Sequence, residues 1–195
     1  ESVPKDAAAI IINAPQKDFN KNDAQKVIDY LQKGGKAIIV GMHSETEMPN
    51  FASILDTYGV SLTTGPIADN DAQHYYNMGG PLYLLPNVNS SSYTGSLSGG
   101  YVYLPISLGI NYPQNSTTDD TESTEESKTT YTSLLDTSDD AVAKNNPNSM
   151  QDYGYEDGDD KGPFSVGLAV EDKVDDDHTT QLVVFASPYV FSDDA

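Results

Sequence analysis

The sequence predicts an α/β fold with a mainly parallel sheet flanked by helices, on three observations. Two strand–helix units follow each other in the first 64 residues. Each connection is too long for a hairpin, so successive strands must cross over and run parallel. The chain has 195 residues, enough for one domain with its own core.

Ala7 to Asn13 (AAAIIIN) is a short apolar run between Pro4 and Pro15, rich in β-branched Ile, and reads as a buried strand. From Asp23 to Lys33, Ala24, Val27, Ile28 and Leu31 fall at i, i+3, i+4 and i+7, one apolar stripe of a helix. Asn20 or Asn22 can cap its start, and Gly34-Gly35 supply a left-handed stop. Lys36 to Met42 (KAIIVGM) is a second buried strand. Asn50 can cap a second helix bearing Phe51, Ile54, Leu55 and Tyr58 on one face, ended by Gly59, and Val60 to Thr64 follows as a short strand.

Between Gly65 and Pro113 the chain is rich in Gly, Pro, Tyr and Asn, and reads as short strands and long loops. Residues 114–130 (QNSTTDDTESTEESKTT) hold no apolar side chain, cannot offset their ordering entropy by burial, and are expected to be a mobile acidic loop. Asp136 to Lys161 is a second acidic stretch, anchored by Leu134-Leu135. Pro163 to Glu171 and Gln181 to Ser187 read as a C-terminal β-hairpin.

Ten Lys and no Arg stand against 30 Asp and Glu, a formal charge of -20. That excludes ordinary binding to a nucleic-acid backbone, which needs clustered cations, and disfavours electrostatic docking on anionic lipid. With no Cys there is no disulfide, thiolate nucleophile or Cys-ligated metal. No apolar run spans a bilayer. Lacking a starting Met and opening on the approach to a strand, the chain reads as a piece of a longer protein. The absence of Cys with abundant Asn, Ser, Thr and Tyr fits an extracytoplasmic setting.

Several segments in this order carry a family resemblance: the strand ending in Ala14-Pro15, YLQKGGKAIIV (30–40), MPNFASILDTYGV (48–60), TSLLDTSDDA (132–141), GPFSVGLAVE (162–171) and LVVFASPYVFSDDA (182–195). Together they resemble the extracytoplasmic domain of GldG-like auxiliary components of ABC transporters, first known from gliding motility. The resemblance implies a flavodoxin-like or class I glutamine amidotransferase-like sandwich. It implies a single domain over 1–195, outside the cell membrane and anchored by helices beyond this sequence. It also implies permease and ATPase subunits as partners of the parent protein, and no cofactor. The amidotransferase relatives use a Cys at a strand-to-helix turn, and this chain has none.

Open parallel sheets bind ligands beyond the carboxyl ends of their strands. That places His43, Ser44, Glu45 and Glu47, after the second strand, in position for a site, with the loop Asp69 to Tyr76, including His74, expected beside them. Ser44 next to His43 invites a hydrolase reading, but no G-x-S-x-G elbow surrounds it. His43, Glu45, His74 and Asp69 or Asp71 are suitable metal ligands at a spacing that matches no known motif. The runs Asp157 to Asp160 and Asp175 to Asp177 suit calcium chemically but not in loop register. The tyrosines between Tyr75 and Tyr112 suit either packing or carbohydrate and peptide contact.

The expectation is a non-enzymatic extracytoplasmic domain acting in transporter assembly or in contact with cargo or an envelope partner, with no catalytic or metal-ligating residue assigned and no nucleic-acid partner. Two alternatives remain: a cell-surface hydrolase or metal-dependent enzyme using the His43 loop, and a sugar- or peptide-binding module.

Overall fold

The structure, a computed structural model, describes residues 2–95, 97, 100–114, 128–146 and 152–192. The chain runs β1 (Ile10–Asn13), α1 (Lys21–Leu31), β2 (Lys36–Val40), α2 (Pro49–Asp56), β3 (Ser61–Asp69), β4 (Tyr83–Leu84), β5 (Asn87–Val88), β6 (Leu104–Pro105), β7 (Leu108–Asn111), β8 (Thr129–Asp136), β9 (Ala141–Ala143), β10 (Asp160–Lys161), β11 (Ser165–Lys173) and β12 (Thr179–Phe185).

The first strand–helix–strand unit forms as its pattern predicts. Asn20 is the cap of α1, accepting from the Asp23 amide at 2.9 Å, and Gly34 takes a positive φ of 86° just past the helix. β1 and β2 pair in parallel, Ile11 opposite Ile38. The second helix is capped differently from the expected Asn50. Its chain enters through Pro49, and the carboxylate of Asp18, 32 residues upstream, accepts from the amides of Asn50 (3.1 Å) and Phe51 (2.8 Å). Burial opposes the Asp18 charge, but those amides hold its carboxyl below the usual range. A negative group at a helix N-terminus also complements the exposed amides and the helix dipole.

The expected parallel, helix-flanked α/β sandwich is not what forms. Strand makes up 34% and helix 11% of the described residues, in a ten-stranded mixed sheet. Its main path runs β1-β2-β12-β11-β7-β3-β9-β10, with β8 also on β11 and β5 on β8. Only β1, β2 and β12 are mutually parallel; all other pairings are antiparallel. The physical reason lies after residue 64. The third strand continues to Asp69 instead of ending at Thr64, and among the described residues no helix follows it, so the chain returns through loops and makes antiparallel pairs. The C-terminal segments do pair as a hairpin, but β12 inserts between β11 and β2.

Both helices pack on one side. Leu31, Val27, Phe51 and Ile54 share a core with Ile12, Ile39, Leu182 and Val184. A second core, built on Ile67, Leu104, Leu135 and Val166, is closed by loops and short strands rather than helices. Of the expected acidic loop 114–130, residues 115–127 lie outside the described set, whereas Thr129 and Thr130 open β8 and pair with Asp172 and Glu171.

A buried ion pair fastens the second acidic stretch to the sheet. Lys144, 1% exposed, follows β9 and donates to Asp159 Oδ2 at 2.6 Å, to the Gly154 carbonyl at 2.7 Å and to Glu156 at 3.3 Å. Burial pulls the Lys144 pKa down, yet its acidic partners outweigh it and hold it above the ordinary value. Burial likewise raises Asp159, but Lys144 and the amides of Glu156 and Asn145 leave it lowered. Gly65 is required alongside: a Cβ there would lie 1.7 Å from the Lys144 carbonyl oxygen.

Two stability predictions follow from these contacts. Leu31→Ala, at a fully buried position, should cost about 2–5 kcal/mol in urea denaturation, whereas exposed Gln25→Ala should stay within about 0.5 kcal/mol of wild type. Equal effects would contradict the packing of α1. Asp159→Asn should cost about 3 kcal/mol near neutral pH, because it removes the fully buried carboxylate and leaves the Lys144 ammonium only the partly exposed Glu156, at 3.3 Å, as a counter-ion. The lowered carboxyl stabilises the fold above its unfolded pKa of about 3.9 and loses that contribution as pH falls through the folded value. The raised ammonium contributes fully below its unfolded pKa of about 10.4 and is lost as pH rises through the folded value. The gap between wild type and variant should therefore be widest in mid-range and shrink below about pH 4.

Candidate functional site

β2 delivers the chain to a tight exit. The Gly41 amide donates to the Phe185 carbonyl at 2.8 Å, holding the turn against β12. Gly41 also permits close approach to β3, since a Cβ would stand 2.3 Å from Leu62 Cδ1. The next seven residues, Met42 to Met48, arch over the start of β3 before Pro49 opens α2. Beneath this arch lies a cleft of about 390 Å³. Its floor and back are apolar, formed by Met42, Met48, Phe51, Leu55, Leu62 and Leu108, and its rim carries His43, Ser44, Glu45, Glu47 and Asp56.

The rim side chains differ in how far they are committed. His43 is half-buried, and its Nδ1 lies 3.0 Å from the Thr64 carbonyl oxygen. Only an N–H can bond that oxygen, so Nδ1 carries the proton and Nε2 of the neutral ring is an acceptor. Ser44 Oγ donates to the Thr46 carbonyl at 2.8 Å and accepts from the Thr46 amide at 3.2 Å, closing a local turn. The hydroxyl proton is therefore directed away from His43, and the nucleophile–base contact that a hydrolase needs is not assembled. Glu45 and Glu47 are exposed.

The four expected residues of the arch thus line one cleft, but Asp69, His74 and Tyr76 do not join them. Because β3 runs antiparallel to β2, its start meets the His43 arch while its end carries Asp69 away. The rise per strand residue puts that end on the order of 15 Å from Thr64. Asp69 is itself buried and engaged in structure: its carboxylate accepts from the Ser138 amide at 2.9 Å and hydroxyl at 2.5 Å. His74 Nε2 meets Asn87 at 3.2 Å, and its Nδ1 is 3.1 Å from Asp71 without alignment for a hydrogen bond. Tyr76 packs edge-on against Tyr103, which stacks on Tyr83.

Among the described residues no three of His, Asp and Glu are placed to hold a metal ion. The two acidic runs weighed for calcium make internal contacts. Asp159 serves Lys144, and Asp175 accepts from the amides of Asp177 and His178 and meets His178 Nδ1 at 2.8 Å. Sequence reading located the arch but missed the apolar floor. Met42 and Met48 bracket the arch and were visible as a signal; Leu108 arrives from β7 and was not.

No family model matches the chain, and no curated protein matches it. Among solved structures it is similar to one described as the mmIFT52 N-terminal domain, at 12% identity and a TM-score of 0.58, over 94% of this chain and 68% of that one. At that identity the likeness is one of fold alone. No helix among the described residues is long and apolar enough to cross a membrane.

The hydrogen bond to Thr64 yields a spectroscopic expectation. At a pH where the ring is neutral, long-range ¹H–¹⁵N correlation should show His43 as the Nδ1–H tautomer. A spectrum showing the Nε2–H tautomer would mean that the arch is not seated on β3.

Proposed function

We propose that this domain works by contact rather than catalysis, using the cleft under the His43 arch to take an apolar side chain from a basic segment of a partner. The observation that carries the reading is the pairing of an apolar floor with an acidic rim at the open end of β2. Such a socket anchors a Leu- or Phe-sized group, while Glu45, Glu47 and Asp56 attract a neighbouring Lys or Arg. The charge of -20 steers cationic partners toward the domain and repels anionic ones. The GldG-like segment order supports an extracytoplasmic setting in an ABC transporter component, with assembly partners or cargo supplying the basic segment.

The test is a chemical-shift titration with a hexapeptide of two leucines flanked by lysines, against hexalysine and a Glu-flanked analogue. The Leu–Lys peptide should shift the methyl groups of Met42, Met48 and Leu55, and hexalysine should not. Glu45→Gln with Glu47→Gln should weaken binding about three- to tenfold, the scale of two exposed ion pairs. Shifts confined to other faces, or equal binding of the Glu-flanked peptide, would overturn the reading. The transporter setting is checked separately, by whether an ATPase and a permease copurify with the full-length parent.

A further inference from the structure

The three ends of the sheet are not protected alike. β10 ends the main path with two residues, Asp160 and Lys161, both charged and exposed, and the β8 branch ends on the two-residue β5. Strands this short resist pairing with another chain, and in β10 the two charges add to that protection. β1 ends the path on the other side with four residues, Ile-Ile-Ile-Asn, without charge, Pro or bulge, and among the described residues no strand lies beyond it. Ile11 is 61% exposed.

The face that Ile11 occupies is also unusual. Ile10 and Ile12 point into the helix-backed core, so Ile11 lies on the opposite face. There it is in register with Ile38 of β2, which is in register with Val183 of β12. A row of three apolar side chains therefore runs out to an open edge on the side where, among the described residues, no helix packs.

Charge distribution favours the same flank. Residues 1–36 hold six of the ten lysines against five acids, while residues 37–195 hold four lysines against 25 acids. The β1–α1 flank is thus close to neutral on a strongly acidic molecule. At physiological salt, charges more than about 8 Å apart are largely screened, so local charge decides which surfaces can approach. This flank is where two copies can meet without close acidic repulsion.

We propose that β1 is a self-association edge, pairing antiparallel with β1 of a second copy about a two-fold axis. The pleat selects the register: partners across an antiparallel pair share a face, so centring the axis on Ile11 sets Ile11 against its symmetry mate. The rows then join as Val183–Ile38–Ile11 on one copy continued by Ile11–Ile38–Val183 on the other. Two four-residue edges cover less than the roughly 1,200 Å² of a stable interface, so the dimer is reversible and concentration-dependent.

Sedimentation or light scattering over a concentration series tests this at low and at high salt. The wild type should move from monomer toward dimer with rising concentration, and more readily in high salt, which screens the repulsion between two charges of -20. Ile11→Lys, at an exposed position, should stay monomeric with an unchanged melting temperature, and Ile11→Val should still dimerise. The amides of β1 should gain exchange protection at high concentration. A wild type that stays monomeric throughout, a dimer indifferent to Ile11→Lys, or one that salt dissociates would each overturn the proposal; the last would mean lysine-to-acid contacts instead of edge pairing.

Discussion

The C-terminal strand β12 is the element on which the rest of the architecture depends. It lies between β2, to which it is parallel, and β11, to which it is antiparallel, and so joins the helix-backed end of the sheet to the antiparallel remainder. Leu182 and Val184 are buried in the core that receives both helices, and Thr180 Oγ1 donates to the Leu31 carbonyl at the end of α1. The Phe185 carbonyl holds Gly41, the residue that launches the His43 arch. The N-terminal unit and its cleft are therefore completed by residues some 140 positions later in the chain. Such long-range pairing raises contact order and slows folding relative to a helical domain of equal size.

Polar burial follows the same logic of distant closure. Lys144 and Asp159 bring the 152–161 segment onto β9, and each would be costly alone in the interior. Asp18 reaches from the loop after β1 to the start of α2, and Asp69 fastens the turn at Ser138. In each case a charged side chain that composition would assign to the surface is fixed by amides or a counter-ion from another segment. Much of the chain's acidity remains outside, where it sets the sign of the field that a partner meets.

The two faces of the sheet also divide the functional possibilities. On the helix side, α2 and the arch enclose a cleft with apolar depth and an acidic rim. On the other side, loops cover the sheet toward β11 and β8, and the Ile11–Ile38–Val183 row is left at the open edge. The cleft suits a single anchoring side chain, the edge a whole strand. The two surfaces rest on different physics: shape and charge in the first, unpaired backbone groups in the second.

Local physics was legible from the residues alone. The 3.6-residue stripe of α1, its Asn20 cap, its glycine stop and the β-branched runs of β1 and β2 are determined within a few neighbouring positions, so they could be read without a partner segment. The position of His43, Ser44, Glu45 and Glu47 after a strand was legible for the same reason. Strand direction and order were not, because an apolar run looks the same in a parallel or an antiparallel pair. The absence of helical patterning after residue 64 was the available signal for a mixed sheet. Which end of β3 meets the arch, which strand supplies Leu108 to the cleft floor and which lysine is buried were decided only by tertiary pairing, since each depends on contacts between segments tens of residues apart that carry no mark in local sequence.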